Sequence, residues 1–269
     1  MPSSLAPDRR RIIRLLGAAA TLAVAGRSPA LARNGPPIAA ASDLHSTLPQ
    51  IAALFRQASG LSVNLTFGSS GNFAQQIRNG APFEVFLSAD EGYVRMLKAA
   101  GKTEGDGRLY AVGRIGLFQP HGSPIRADSR LADLAAGLRD GRLRKLAIAN
   151  PEHAPYGRAA REALQHAGLW RAIAPKLVLG ENVAQATQFA LSGSAQGGII
   201  PLSLALSPQV KAAGGFALIA DDWHRPLRQR AAVLRGAGAT ARAFHDFLYE
   251  PQARDVFRRH GFLLPDEKP

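Results

Sequence analysis

Between Ile38 and Ala100 the chain reads IAAASDLHSTLPQIAALFRQASGLSVNLTFGSSGNFAQQIRNGAPFEVFLSADEGYVRMLKAA, and short apolar runs alternate there with longer segments of helical spacing. Ile38 to Ala41 reads as a short buried strand. Thr47 to Gln57 sets Leu48, Ile51, Ala52, Leu54 and Phe55 on one helical face, and Gly60 ends that helix. Leu61 to Phe67 alternates as a strand. Asn72 to Arg78 is a second helix, closed by Asn79-Gly80. Val85-Phe86-Leu87 is a third strand, followed by a helix from Glu91 to Ala100. This β-α-β-α-β rhythm implies a parallel sheet with helices on both faces.

Outward from that stretch the pattern recurs. Arg114 to Gln119 reads as a strand leaving the first unit. Helices are expected near Leu131 to Leu138, Arg158 to Ala167 and Ala184 to Ser192. Strands are expected at Leu146 to Ala149, Lys176 to Leu179 and Gly198-Ile199-Ile200. Phe216 to Ala220 and Ala231 to Leu234 carry the chain back, and Thr240 to Tyr249 and Pro251 to His260 are closing helices. The expected fold is α/β and two-lobed, each lobe a mixed, mainly parallel sheet flanked by helices, with two crossover strands. The lobes are assigned as 38–117 with 221–264, and 118–220. A cleft between them falls where the carboxyl ends of the strands meet.

The first 32 residues are set apart as an export signal. Arg9-Arg10-Arg11 and Arg14 precede an apolar run from Leu15 to Ala25, and Ala30-Leu31-Ala32 offers a cleavage site. The run is too short to span a bilayer. Asp8-Arg9-Arg10-Arg11-Ile12-Ile13-Arg14 also resembles a twin-arginine signal; both that route and the general secretory route lead to the periplasm. The chain has no cysteine, hence neither a disulfide nor a lipobox for acylation.

The formal charge is +13, of which the leader's five arginines and one aspartate account for +4, leaving +9. The arginines are scattered, and the densest group, Arg225, Arg228 and Arg230, has no interleaved aromatics, so no nucleic-acid partner is expected. An enzyme is also disfavoured. The seven histidines form no His-Glu-x-x-His pair. Ser69-Ser70-Gly71 is not a Gly-x-Ser-x-Gly elbow, and there is no phosphate-cradling Gly-x-x-x-x-Gly-Lys loop. His153 reads as a loop anchor and Asp221-Asp222 as a solvated turn.

One feature recurs along the chain: a strand end, a small polar residue or glycine, then a helix start. It occurs at Ser42, at Ser69-Ser70-Gly71, at Pro155-Tyr156-Gly157 and at Glu181-Asn182-Val183. The first N–H groups of a helix have no internal partner and, with the helix dipole, favour an anion. Each serine taken alone is equally an N-cap.

The words themselves then carry a resemblance. Ala39-Ala40-Ala41-Ser42-Asp43-Leu44, Phe67-Gly68-Ser69-Ser70-Gly71-Asn72 and the run from Gly80 to Asp90 resemble the first lobe of periplasmic molybdate-binding proteins. Ala149-Asn150-Pro151-Glu152-His153-Ala154-Pro155-Tyr156-Gly157 resembles their second lobe, and Tyr249-Glu250-Pro251-Gln252-Ala253 with Gly261-Phe262 their closing segment. The resemblance runs from Ile38 to Leu264. It implies a type II periplasmic binding fold that takes molybdate or tungstate between its lobes and delivers it to the membrane permease of an ABC importer. No cofactor is implied beyond that transported oxyanion, no metal is bound directly by protein, and a monomer is expected. Another oxyanion or small solute on the same fold is the alternative.

By position, Ser42 and Ser70 match the family's ligand serines, and Tyr156 and Val183 match its backbone N–H donors. A tyrosine hydroxyl often completes the family's set; here Gly198-Ile199-Ile200 is followed by Pro201, which has neither a hydroxyl nor an N–H. Asp43, beside Ser42, is expected to turn its carboxyl away to serve the helix start while its backbone N–H reaches the ligand. Arg158 is read either as offsetting charge or as facing solvent.

Overall fold

The computed structural model describes residues 35–267, so the expected leader lies outside the described residues. The first half of the chain runs β1 (Pro37–Ala41), α1 (Leu48–Ser59), β2 (Asn64–Gly68), α2 (Ser70–Arg78), β3 (Val85–Ser88), α3 (Glu91–Ala99) and β4 (Arg108–Gly113). It continues with β5 (Ile115–Pro120), α4 (Ala132–Arg139), β6 (Leu146–Ala149), α5 (Pro155–His166), α6 (Trp170–Ile173), β7 (Leu177–Gly180) and α7 (Val183–Leu191). The remainder is β8 (Gly198–Pro201), α8 (Leu202–Ala205), α9 (Pro208–Ala213), β9 (Gly214–Leu218), β10 (Leu227–Val233), α10 (Ala239–Phe247) and α11 (Pro251–Arg259).

Two five-stranded sheets result, ordered β2-β1-β3-β10-β4 and β7-β6-β8-β5-β9. In the first, β1 lies parallel to β2 and β3, while β10 runs antiparallel to β3 and β4. In the second, β6 lies parallel to β7 and β8, while β5 runs antiparallel to β8 and β9. Successive residues of a strand point to opposite faces, and the cores obey that alternation. Ile38, Ala40, Val85 and Leu87 join the core beneath α1, α10 and α11; Ala39 and Phe86 join the opposite one, with Phe73 and Leu97. The small residues of β1 follow from this position. A central parallel strand covered on both faces has no solvent side to advertise as polar.

The crossovers differ from the sequence expectation in two respects. All of β5 pairs in the second sheet, so the change of lobe expected at 117 falls instead between β4 and β5, at Arg114. β4, Arg108–Gly113, is an edge strand of the first sheet that the sequence reading did not pick out. The Phe216–Ala220 stretch contributes to β9, which still belongs to the second sheet; only β10 re-enters the first. Arg114 ties the first crossover down, its guanidinium donating to the Gly261 carbonyl at 3.3 Å.

Candidate functional site

The carboxyl ends of β1, β2, β6 and β7 lead into one small interlobe cavity. Its walls include Ser42, Asp43, Ser70, Tyr156 and Val183, which are the five residues singled out from the sequence. The cavity measures about 10 Å³, room for about one water. Ser42 and Asn182 also line a wider groove of about 510 Å³ beside His45 and Phe67, so that groove opens onto the cavity.

Each wall position has a local cause. α5 begins at Pro155, a residue suited to a first helical position because it lacks the N–H that would be orphaned there. Tyr156 is therefore inside the first turn rather than ahead of the helix, and its N–H has no carbonyl acceptor among the described residues. α7 is capped by Asn182, whose side chain accepts from the Gln185 N–H at 3.1 Å, and Val183 is its first residue, its N–H likewise free. Ser70 opens α2; its oxygen accepts the Ala89 N–H at 3.0 Å, which leaves the hydroxyl proton available. No lysine, arginine or histidine side chain lines the cavity. The set is thus one of neutral donors at helix starts, suited to an anion.

Asp43 does not behave as expected. It caps no helix. Its carboxyl is fully buried, and Oδ2 accepts from the Tyr156 hydroxyl at 2.8 Å and from Gln229 Nε2 at 2.6 Å. Tyr110 donates to Gln229 Oε1 at 2.6 Å and so orients the amide. The Asp43 carbonyl accepts from Ser203 Oγ at 2.8 Å. The physical reason is that the turn Ser42–Leu44 is a single 3-10 turn packed under the other lobe, where the nearest donors are side chains of α5, β10 and α8. Burial raises the Asp43 carboxyl to about 6, against the lowering effect of its Gln229 and Tyr156 hydrogen bonds. Burial, and the neighbouring Asp43, push the Tyr156 and Tyr110 hydroxyls well above the usual tyrosine range. Tyr156 therefore has a structural hydroxyl in addition to its N–H.

The lobes touch directly around the cavity. The His153 carbonyl accepts from Ser69 Oγ at 2.7 Å and from the Gly71 N–H at 3.0 Å. Since the Ser69 hydroxyl proton is spent there, His153 Nδ1, 3.0 Å away, is the donor to Ser69 Oγ. A side chain at Gly71 would strike that same carbonyl. His153 is thus an anchor between lobes. Arg158 neither faces solvent freely nor lines the cavity: it pairs with Asp90 of the first lobe and lies over the Tyr93 ring, 5.2 Å from its centroid. Pro201 sits at the end of β8 opposite Ile115 and away from the cavity wall. Gln229, Tyr110 and Ser203 escaped the sequence reading, and Ser69 was read only as part of a helix start. A signal existed for Gln229, since Leu227, Gln229 and Ala231 form the buried phase of β10 between exposed or half-buried neighbours.

Residues 37–263 match the model of the bacterial extracellular solute-binding protein family. The chain is 35% identical over 250 residues to the molybdate-binding protein ModA of Rhodobacter capsulatus, covering 92% of this chain and 95% of that one. To ModA of Azotobacter vinelandii it is 36% identical over 230 residues, covering 84% and 89%. The solved periplasmic molybdate-binding protein of Azotobacter vinelandii superposes with a TM-score of 0.77 at 29% identity, covering 86% of this chain and 99% of that structure. The chain therefore belongs to the bacterial extracellular solute-binding proteins, a family of binders rather than enzymes, and within it is a homologue of the molybdate-binding proteins.

Proposed function

We propose that this protein is the periplasmic receptor of an ABC importer for a tetrahedral oxyanion, molybdate or tungstate, held in the interlobe cavity. The ligand accepts from the hydroxyls of Ser42 and Ser70 and from the backbone N–H groups of Tyr156 and Val183. The observation that carries this reading is the convergence of those four residues on one small cavity with no basic side chain in its wall among the described residues. A fully deprotonated oxyanion offers only acceptors, and the hydroxyls of Ser42 and Ser70 with the N–H groups of Tyr156 and Val183 are neutral donors that match it. Hydrogen bonds to a charged group contribute about 1.5–3 kcal/mol each, against roughly 0.3–1 kcal/mol for a helix terminus. Direct donors therefore dominate and the dipoles assist.

In this reading the lobes part at Arg114 and between β9 and β10, and opening along those two strands admits the ligand through the groove beside His45 and Phe67. The protein acts as an exported monomer, its leader removed near Ala32, and hands the anion to a membrane permease. Titration calorimetry of the mature protein with molybdate, tungstate, sulfate and phosphate tests this. One-to-one binding of the first two, with sulfate and phosphate silent, is the expected result. Preference for sulfate or phosphate would move the assignment to another oxyanion, and silence with all four would remove it.

A further inference from the structure

Among the described residues Asp43 is the only carboxyl in the cavity wall, and its two oxygens are used unequally. Oδ2 takes both side-chain donors, Tyr156 from α5 and Gln229 from β10, and the residue's own backbone N–H also favours the charged form. Oδ1 is buried with no hydrogen-bond partner. An ionised carboxylate left half satisfied in a buried site is unfavourable, and its charge would repel an incoming anion. One proton removes both difficulties. Because Oδ2 already accepts two hydrogens, the proton belongs on Oδ1, where it turns an unpartnered acceptor into a donor.

We propose that Asp43 meets the oxyanion as a neutral carboxyl, donating Oδ1–H to a ligand oxygen, so that capture of the dianion takes up one proton from solvent. The proposal rests on the oxyanion-receptor reading. The groups facing the carboxyl are the Tyr156 hydroxyl from α5, the Gln229 amide from β10 and, behind it, the Tyr110 hydroxyl from β4; Ser203 from α8 holds the Asp43 carbonyl. None of these supplies a positive charge to keep the carboxylate ionised. Burial already lifts the group to about 6 without ligand, and a dianion beside it raises it further. Above that value the free protein must gain a proton to bind, and affinity then falls by up to about tenfold per pH unit.

The test is calorimetry of the mature protein with molybdate, which stays fully deprotonated above neutrality, at pH 8 in buffers of different ionisation heat. The expected result is uptake of close to one proton per molybdate and an affinity that weakens steadily from pH 6.5 to 8.5. The variant D43N supplies an N–H donor and cannot ionise. It should take up no proton, show a flat pH profile and bind molybdate about tenfold or more tighter than wild type at pH 8. Zero proton uptake by wild type with a flat profile would overturn the proposal, and this measurement needs no variant. Equal uptake by D43N would also overturn it, by assigning the proton to another group. If wild type binds no molybdate at all, the receptor reading fails and the proposal with it.

Discussion

The hydroxyl of Tyr156 on α5 donates to Asp43 Oδ2 at 2.8 Å, joining a helix of the second lobe to the turn after β1 in the first. In the proposed site the same tyrosine also supplies its backbone N–H to the oxyanion, and that reading makes one residue couple ligand binding to lobe closure. Tyr156→Phe separates the two roles. Removing the hydroxyl leaves a buried carboxyl with fewer donors and should cost about 1–3 kcal/mol of stability. Binding through the backbone should survive in kind. Urea unfolding read beside molybdate titration checks both halves.

Gly113, at the end of β4, packs where an added Cβ would collide with that hydroxyl and with the Gln229 amide. Gly113→Ala should therefore destabilise by about 1–3 kcal/mol through overpacking. Part of that loss should return in the double variant with Tyr156→Phe, because the colliding oxygen is gone. A double-mutant cycle of unfolding free energies reads the coupling, and strict additivity would mean the clash is relieved elsewhere.

Stability without ligand should depend on pH through Asp43. Its folded value, raised from 3.8 to about 6, means the native state holds this proton more tightly than the unfolded state. The resulting stabilisation is fully present below the unfolded value and is lost as pH rises through the folded one. In full it amounts to roughly 3 kcal/mol, of which about 2 kcal/mol is lost between pH 4 and 6.5. Paired carboxyls such as Glu162, held below its usual value by Arg225 in spite of burial, act in the opposite sense. The difference between wild type and D43N across that range is the quantity to measure, and it should shift in favour of D43N toward high pH.

Ser69 and His153 clasp the lobes beside the cavity. Ser69→Ala removes a hydroxyl that donates to one group and accepts from another, so the closed form should lose about 1 kcal/mol. The expected readout is a molybdate dissociation rate several times faster with little change in association, measured by stopped-flow.

Ser42→Ala and Ser70→Ala each delete a proposed donor to the anion. Each should weaken molybdate by roughly 10- to 150-fold. Ser70→Ala should also cost stability, because the Ala89 N–H loses its acceptor. Affinity unchanged in both variants would take the hydroxyls out of the site.

The fold was legible wherever burial leaves a local imprint. The three parallel strands β1, β2 and β3 of the first sheet, the amphipathic helices between them and the small polar residues at the strand ends all appear in one dimension. Their cause is local too: periodicity of burial and the chemistry of helix starts. The crossovers were less legible. Which sheet a strand joins depends on hydrogen bonds to residues far along the chain, as β5 shows by pairing with β8 and β9.

The sequence by itself determined the two-lobed α/β plan and the strand-turn-helix junctions around Ser42, Ser70, Tyr156 and Val183, because each junction is set locally; the choice of those residues as ligands came from the resemblance to periplasmic molybdate-binding proteins. Only the tertiary structure decided what Asp43 does. Its partners, Tyr156 and Gln229, lie 113 and 186 residues away along the chain. A buried carboxyl takes its protonation and its direction from the donors packed against it in space, and no local pattern around Ser42 records which donors those are.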